Sequence, residues 1–416
     1  MTWSVERSQT PVSSSSERSA AQAASKDAAR SRRVLHHVAT TVPGTGVDTF
    51  VLQLCAAQQR LGIETAICCN TTNRDEFVAT AERLHIPVHP FPSIEALPAL
   101  VPQKARTLYG ITRRTADLAR FLARERFDVV QVHAVSLFGL EAHLATALAR
   151  VPLIVTHHST LEWWRPMWTL QSDAILQMEK WRTTFAVCPY QKAADELRDH
   201  GMRPERLVVI PFCADETRFS GSITPPKPDE PFHLIIPARL VAEKGYAELL
   251  TAMAEVRSRL PQVRLTIVGT GPAQAEIEQT IARLGLRDIV KMLGYVPHAE
   301  MPELLRKCHV IVLPSYMGGE TFPVALLEGM CMGMPAIGTR WFGIPDIIAD
   351  GENGLLVEPR DSKALARAIE ALAGDLTFFA RASEAAARRA QREFTGESVA
   401  RRYAELYERA VAQREG

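Results

Sequence analysis

Short apolar runs alternate with longer amphipathic stretches along most of this chain. Val34–Ala39, Glu64–Cys69, Ile86–Phe91, Val129–Val132, Leu153–Thr156, Thr184–Cys188 and Leu207–Ile210 are too short for helices and predict strands. Between them, Val47–Leu61 sets Phe50, Leu54 and Leu61 on one helical face, and Arg74–Leu84, Lys104–Arg126 and Leu137–Arg150 also read as helices. The alternation resumes with strands at His233–Pro237, Val263–Val268, Ile289–Leu293, Val310–Leu313 and within Gly351–Val357. Helices follow at Ala273–Leu284, Asp361–Leu372, Leu376–Arg392 and Glu397–Gln413, and one ends near Leu260. Strands that alternate with helices predict an α/β chain of doubly wound parallel sheets, covered on both faces. Ser220–Pro231 carries four prolines and reads as a linker. The predicted units are therefore a tail (1–33), a first Rossmann-like domain (34–218), a linker (219–231), a second domain (232–395) and a last helix (396–416). Two such halves facing each other leave a central cleft for a ligand.

Composition narrows the class. With 416 residues and 46% hydrophobic content, each half can bury its own core. A net charge of +1 gives no global reason to expect nucleic acid. Seven scattered cysteines without a CxxC pattern fit a reducing cytosol and no metal site. No apolar run is long enough to span a bilayer. Residues 1–33 are rich in Ser, Ala and Arg, lack the apolar segment of a signal peptide and read as a disordered tail.

Candidate chemistry concentrates at predicted strand ends. Met317–Pro345 reads as loop, helix, turn, strand and glycine loop, with Pro323 suited to a first helical turn and Gly333 to a stop. Were Glu320 and Glu328 both helical, they would lie about 12 Å apart along the axis. That exceeds the roughly 5–9.5 Å used by paired carboxylates in sugar hydrolysis. The spacing instead suits one extended ligand, with hydroxyls held at both ends and an anion facing the helix N-terminus. Arg239 and Lys244 flank a strand-to-helix loop, which suits a diphosphate. Gly44-Thr45-Gly46 and Gly269-Thr270-Gly271 are glycine turns between strand and helix, each short of the dinucleotide fingerprint. His133 ends a strand and can act on a substrate oxygen; His157-His158-Ser159 ends the next strand in the same way. Lys104–Arg126 is a basic amphipathic helix, either an ordinary solvated face or a membrane contact. Trp163, Trp164, Trp168 and Trp181 cluster nearby, as packing under a loop or as a sugar or membrane surface.

These residues resemble, as an ordered set, the GT-B glycosyltransferases of the retaining family 4 type. Arg239 with Lys244-Gly245, Val268-Gly269-Thr270-Gly271-Pro272, Leu293-Gly294-Tyr295-Val296, Pro314-Ser315, Glu320…Glu328, Gly343-Ile344-Pro345 and Asn353–Val357 fall in that family's order over about 120 residues. The first half is similar through Gly44-Thr45-Gly46, His133 and Pro211…Asp215…Phe219. Departures are Thr321-Phe322-Pro323 in place of Gly-Phe-Gly, Ala238 in place of the glycine before Arg239, and Cys213-Ala214 before Asp215.

The resemblance implies a hexosyltransferase that moves a sugar from a UDP- or GDP-linked donor to a hydroxyl of a sugar, lipid-linked sugar or small-molecule acceptor, with retention and without a metal or other cofactor. It implies that Arg239 and Lys244 hold the diphosphate, Glu328 the ribose, and Glu320 with Thr321, Phe322, Pro323 and Val324 the sugar. Gly269, Gly271, Tyr295 and Val296 would line the nucleotide site. His133 would stand beside the reacting sugar, and Gly44, Thr45 and Gly46 would form an acceptor or phosphate loop. The last helix would cross back onto the first domain. Polysaccharide or glycolipid assembly in the cytoplasm, at the inner membrane face, is the role expected. Rival readings are a nucleotide-sugar epimerase of the same fold and a non-catalytic nucleotide-sugar-binding partner subunit.

Overall fold

The computed structural model describes residues 31–38, 46–71, 74–91, 103–134, 140–161, 170–227, 230–317 and 321–415. Gly44, Thr45, Glu320, Trp163, Trp164, Trp168 and nearly all of the expected tail lie outside them, as do the side chains of 103–108.

The first domain is a seven-stranded parallel sheet in the order β3-β2-β1-β4-β5-β6-β7. Its strands are β1 (Arg33–Val38), β2 (Glu64–Cys69), β3 (Val88–Pro90), β4 (Val129–Ala134), β5 (Leu153–His157), β6 (Phe185–Cys188) and β7 (Leu207–Val209). β3 is shorter than the expected Ile86–Phe91, since pairing with β2 covers only Val88–Pro90. The helices are α1 (Gly46–Arg60), α2 (Asp75–Arg83), α3 (Gln103–Glu125), α4 (Leu140–Ala149), α5 (Leu170–Arg182) and α6 (Gln191–Asp199).

The second domain is a six-stranded parallel sheet in the order β10-β9-β8-β11-β12-β13. It is built from β8 (Phe232–Pro237), β9 (Val263–Val268), β10 (Val290–Gly294), β11 (Val310–Leu313), β12 (Ala336–Thr339) and β13 (Gly354–Val357). Around it lie α7 (Tyr246–Arg259), α8 (Gln274–Arg283), α9 (Met301–Leu305), α10 (Val324–Cys331), α11 (Ile344–Ile347), α12 (Ser362–Gly374) and α13 (Leu376–Glu393). The inner strands are continuous apolar runs because both faces are covered: Val310–Leu313 is wholly buried.

The last helix, α14 (Gly396–Glu415), belongs spatially to the first domain. Its entry is held against the end of the first domain by Ala214 N–H to Phe394 O at 2.8 Å and Gly396 N–H to Ala214 O at 3.0 Å. Tyr403 and Tyr407 are fully buried there, and Arg32 binds Glu408 at 2.7 Å.

In each sheet the strand order reverses once, between β1 and β4 and between β8 and β11. Open α/β sheets bind ligands in the crevice outside the strand carboxyl ends at such points. His133 and Gly46, which opens α1, fall at the first switch point; Arg239, Lys244 and Thr321–Pro323, just ahead of α10, fall at the second.

Candidate active site

In the second domain, close backbone approach draws the motif loops together. Gly269 has φ +132°, and a Cβ there would stand 2.1 Å from Ala238 O; one at Gly271 would stand 2.3 Å from Leu240 O. Backbone bonds from Ala238 N–H to Val268 O and Leu240 N–H to Thr270 O, both 3.0 Å, lock these loops edge to edge. The two glycines are thus required by loop packing beside Arg239. Arg239 is exposed, and Tyr246 Oη fixes the turn before it by donating to Ala238 O at 2.9 Å. Lys244 is buried at the end of a 3-10 turn, Ala242–Lys244, and Gly245 follows at φ +75°. A Cβ on Gly245 would sit 2.2 Å from Pro314 O, so the Lys244 loop lies directly on the chain leaving β11.

That chain continues into Thr321, Phe322 and Pro323, all buried. Pro323 is one residue earlier than a first-turn position: its ψ of 110° is extended, and α10 begins at Val324. Gly343 N–H donates to Thr321 O at 2.9 Å, which ties the Gly343-Ile344-Pro345 loop to the same segment.

Glu328, in α10, is 6% exposed and its carboxylate is matched. His298 Nε2 donates to Glu328 Oε1 at 2.7 Å. Arg218 donates to His298 Nδ1 at 3.2 Å and to His298 O at 2.8 Å, which leaves the ring proton on Nε2. Arg218 comes from the chain entering the linker. A carboxylate with one oxygen so occupied and a second oxygen remaining can hold a ribose hydroxyl. Tyr295 is 65% exposed and Val296 half-buried, both just past β10 and ahead of His298.

Across the cleft, His133 is not a lone strand-end histidine. It is fully buried within β4 and sits between two others. His36 Nδ1 lies 2.9 Å from His133 Nε2, and His158 Nε2 lies 3.1 Å from His133 Nδ1. Phe50 and Phe212 pack on this array, with ring centroids 5.6 and 4.9 Å from His158. Burial disfavours the imidazolium and holds His36 at about 4, against a bond from Gln58 that raises it. Burial likewise holds His158 at about 3, with His157 adding to the effect. His133 is pushed well below the ordinary range by burial, then by the neighbouring histidines. All three are neutral at pH 7. Thr321 Oγ1 donates to His158 O at 2.8 Å, so the donor-side segment touches the histidine array directly.

Gly46 opens α1 at the same end of the first sheet, exposed, with nothing within 4 Å of a Cβ position. The sequence reading missed His36, Arg218, His298 and Tyr407. His36 carried a signal, since a polar pair in the run Val34–Val38 has to be satisfied inside the sheet. Among the described residues, no group of three His, Cys, Asp or Glu side chains is placed to hold a metal ion, and no helix is long and apolar enough to cross a membrane.

Two facing Rossmann-like domains with opposed switch points define the GT-B architecture. The profile described as Glycosyl transferases group 1 matches residues 222–389, and that of Glycosyltransferase Family 4 matches 44–218. The chain belongs to the GT-B glycosyl transferases of group 1. WcaL of Salmonella typhimurium, a glycosyltransferase named for colanic acid biosynthesis, is 33% identical over 42% of this chain and 43% of its own length. The chain thus spans less than half of that relative. Glycogen synthase of Mycobacterium tuberculosis is 25% identical over 90% of both chains. Among solved structures, Anabaena HepE in complex with UDP superposes with a TM-score of 0.74 at 20% identity, covering 91% of this chain and 100% of HepE. HepE has also been solved with UDP-glucose, with a TM-score of 0.70 at 20% identity over 91% and 99% of the two chains.

Proposed function

We propose that this chain transfers a hexose from a UDP- or GDP-linked donor to a hydroxyl acceptor, with retention of anomeric configuration and without a metal. The observation that carries the reading is the convergence around α10. Glu328 is held by His298, the Lys244 loop lies against the chain leaving β11, and Thr321 reaches the histidine array of the other domain. The ability of HepE to bind UDP and UDP-glucose supports a nucleotide sugar as the donor.

Glu328 would hold the ribose hydroxyls through its second oxygen. Arg239, Lys244 and the N-terminus of α10 would balance the charge that develops on the leaving diphosphate. Glu320 and the Thr321–Val324 segment would hold the sugar, and the acceptor would enter past Gly44-Thr45-Gly46. Retention follows if the acceptor hydroxyl attacks on the face the diphosphate leaves, with a diphosphate oxygen taking its proton. The test is product analysis by NMR after incubation with UDP- and GDP-linked hexoses and a panel of acceptors. An α-linked product from an α-linked donor supports the reading, and a β-linked product contradicts it. Epimerised donor without any acceptor product would favour the rival epimerase.

Polysaccharide or glycolipid assembly beside a membrane is the biological role we propose. The arginines of α3 pair largely within the helix, Arg120 with Asp117 at 2.8 Å and Arg124 with Glu125 at 2.9 Å. Pelleting with anionic vesicles at low salt tests the membrane contact, and failure to pellet contradicts it.

A further inference from the structure

The three histidines belong to a longer hydrogen-bonded chain whose direction can be read from its amides. Gln58 presents Oε1 to His36 Nε2 at 2.8 Å and donates from Nε2 to Tyr407 Oη at 2.7 Å. An amide oxygen only accepts, so His36 carries its proton on Nε2 and its Nδ1 is a bare lone pair. His133 must then donate from Nε2 to His36, which leaves its own Nδ1 bare. His158 in turn donates from Nε2 to His133. The array therefore ends at His158 Nδ1, a lone pair without a hydrogen-bond partner among the described residues, on a side chain 95% buried by its 5% exposure.

The other end of the chain is anchored in the crossing helix α14. Tyr407 Oη accepts from Gln58 and donates to Gln131 Oε1. Gln131 Nε2 donates to Thr156 Oγ1 at 2.7 Å, and Thr156 lies 3.4 Å from Tyr403 Oη. Burial keeps the Tyr407 phenol protonated, pushing it well above its ordinary range. Among the described residues, Tyr407 is the link between the two glutamines. Without its hydroxyl, the Gln58 amide loses the acceptor that orients it. A flipped Gln58 would present N–H to His36 and reverse every proton, which would turn His158 Nδ1 into a donor.

We infer that Tyr407 is a positioning residue that sets the proton order of the His36–His133–His158 array, so that His158 Nδ1 meets the bound sugar as an acceptor for one of its hydroxyls. This deepens the proposed function and rests on it. Both nitrogens of His133 are already engaged, and the His158 backbone carbonyl already accepts from Thr321 of the proposed sugar segment, so a sugar hydroxyl meeting the array would be received at His158.

Nitrogen-15 NMR of the full-length chain reads the proton order without any substrate. In wild type the imidazoles of His36, His133 and His158 should all show N–H at Nε2 and a bare Nδ1. Tyr407→Phe should mix the two tautomers. It should lower turnover of the nucleotide sugar at least about twofold, the loss for an array free to run either way, with the affinity for the nucleoside diphosphate unchanged. His158→Gln keeps a donor near the Nε2 position and deletes the free lone pair. It should weaken the nucleotide sugar roughly 3- to 10-fold, the worth of one hydrogen bond, and leave the nucleoside diphosphate unaffected. An N–H at His158 Nδ1 in wild type, unchanged tautomers in Tyr407→Phe, or equal losses for nucleotide and nucleotide sugar would overturn the inference alone. No binding of any nucleoside diphosphate by wild type would remove the functional reading beneath it as well.

Discussion

Thr321 Oγ1 donates to the backbone carbonyl of His158 at 2.8 Å, and this bond joins the α10 segment of one domain to the histidine array of the other. Both residues are buried, so nothing else replaces the bond when it is lost. Thr321→Val keeps the shape and removes the hydroxyl. A buried hydrogen bond of this kind is worth about 1 kcal/mol. The variant should lose roughly fivefold in turnover, with nucleoside diphosphate affinity unchanged, as measured by steady-state kinetics beside calorimetry. Equal weakening of nucleotide binding would place the effect inside the second domain instead.

Glu328 and His298 form a second hydrogen-bonded pair, within the second domain. His298→Ala leaves a carboxylate that is 6% exposed with one partner removed. A hydrogen bond to a charged group is worth about 1.5–3 kcal/mol. Affinity for the nucleoside diphosphate should fall about tenfold, and His298→Gln, which can still donate to Glu328, should recover most of it. Unchanged affinity in the Ala variant would mean that Glu328 needs no orientation.

The glycines divide into two kinds, which substitution to alanine separates. Gly269→Ala places a Cβ 2.1 Å from Ala238 O at a φ of +132°, and should lower stability by at least about 2 kcal/mol in urea unfolding. Gly46→Ala meets nothing within 4 Å and should stay within about 0.5 kcal/mol of wild type while losing transferase activity. A stable and fully active Gly46 variant would remove the loop before α1 from the acceptor site.

Buried neutral histidines also give stability a pH dependence of defined sign. His36, His133 and His158 are all held below the ordinary value of about 6.5, by burial first, at about 4 for His36 and about 3 for His158. Below pH 6.5 the unfolded chain takes up protons that the native array refuses, so stability falls as pH falls. Each histidine contributes about 1.4 kcal/mol per pH unit once the unfolded form is charged. The melting temperature should be flat from pH 8 to 7 and fall between pH 6 and 5, where carboxylates are ionised in both states. A flat profile through that window would contradict the neutral array.

The alternation of short apolar runs with helices was enough to read two parallel-sheet domains, because strands buried on both faces leave an unbroken apolar signature. Arg239, Lys244 and Glu328 stand out as candidates because their spacing to glycine turns is local in the chain. The partners that position them were not. His298 and Glu328 are 30 residues apart, and Gln58 and Tyr407 are 349 apart. No period or motif links such pairs; only the fold brings them together. The glycine turn at Gly269 and Gly271 suggests a phosphate cradle, yet its packing against Ala238 and Leu240 already requires glycine.

The most direct test of the central claim is a thermal-shift titration of wild type and Glu328→Ala with UDP, GDP, ADP and their hexose conjugates. A ligand at a hundredfold excess over its dissociation constant stabilises the folded state by about 2.7 kcal/mol. A shift with UDP or GDP and its conjugates, lost in Glu328→Ala, is the expected result. No shift with any nucleotide, or a shift that survives in Glu328→Ala, would contradict a nucleotide-sugar site built around Glu328.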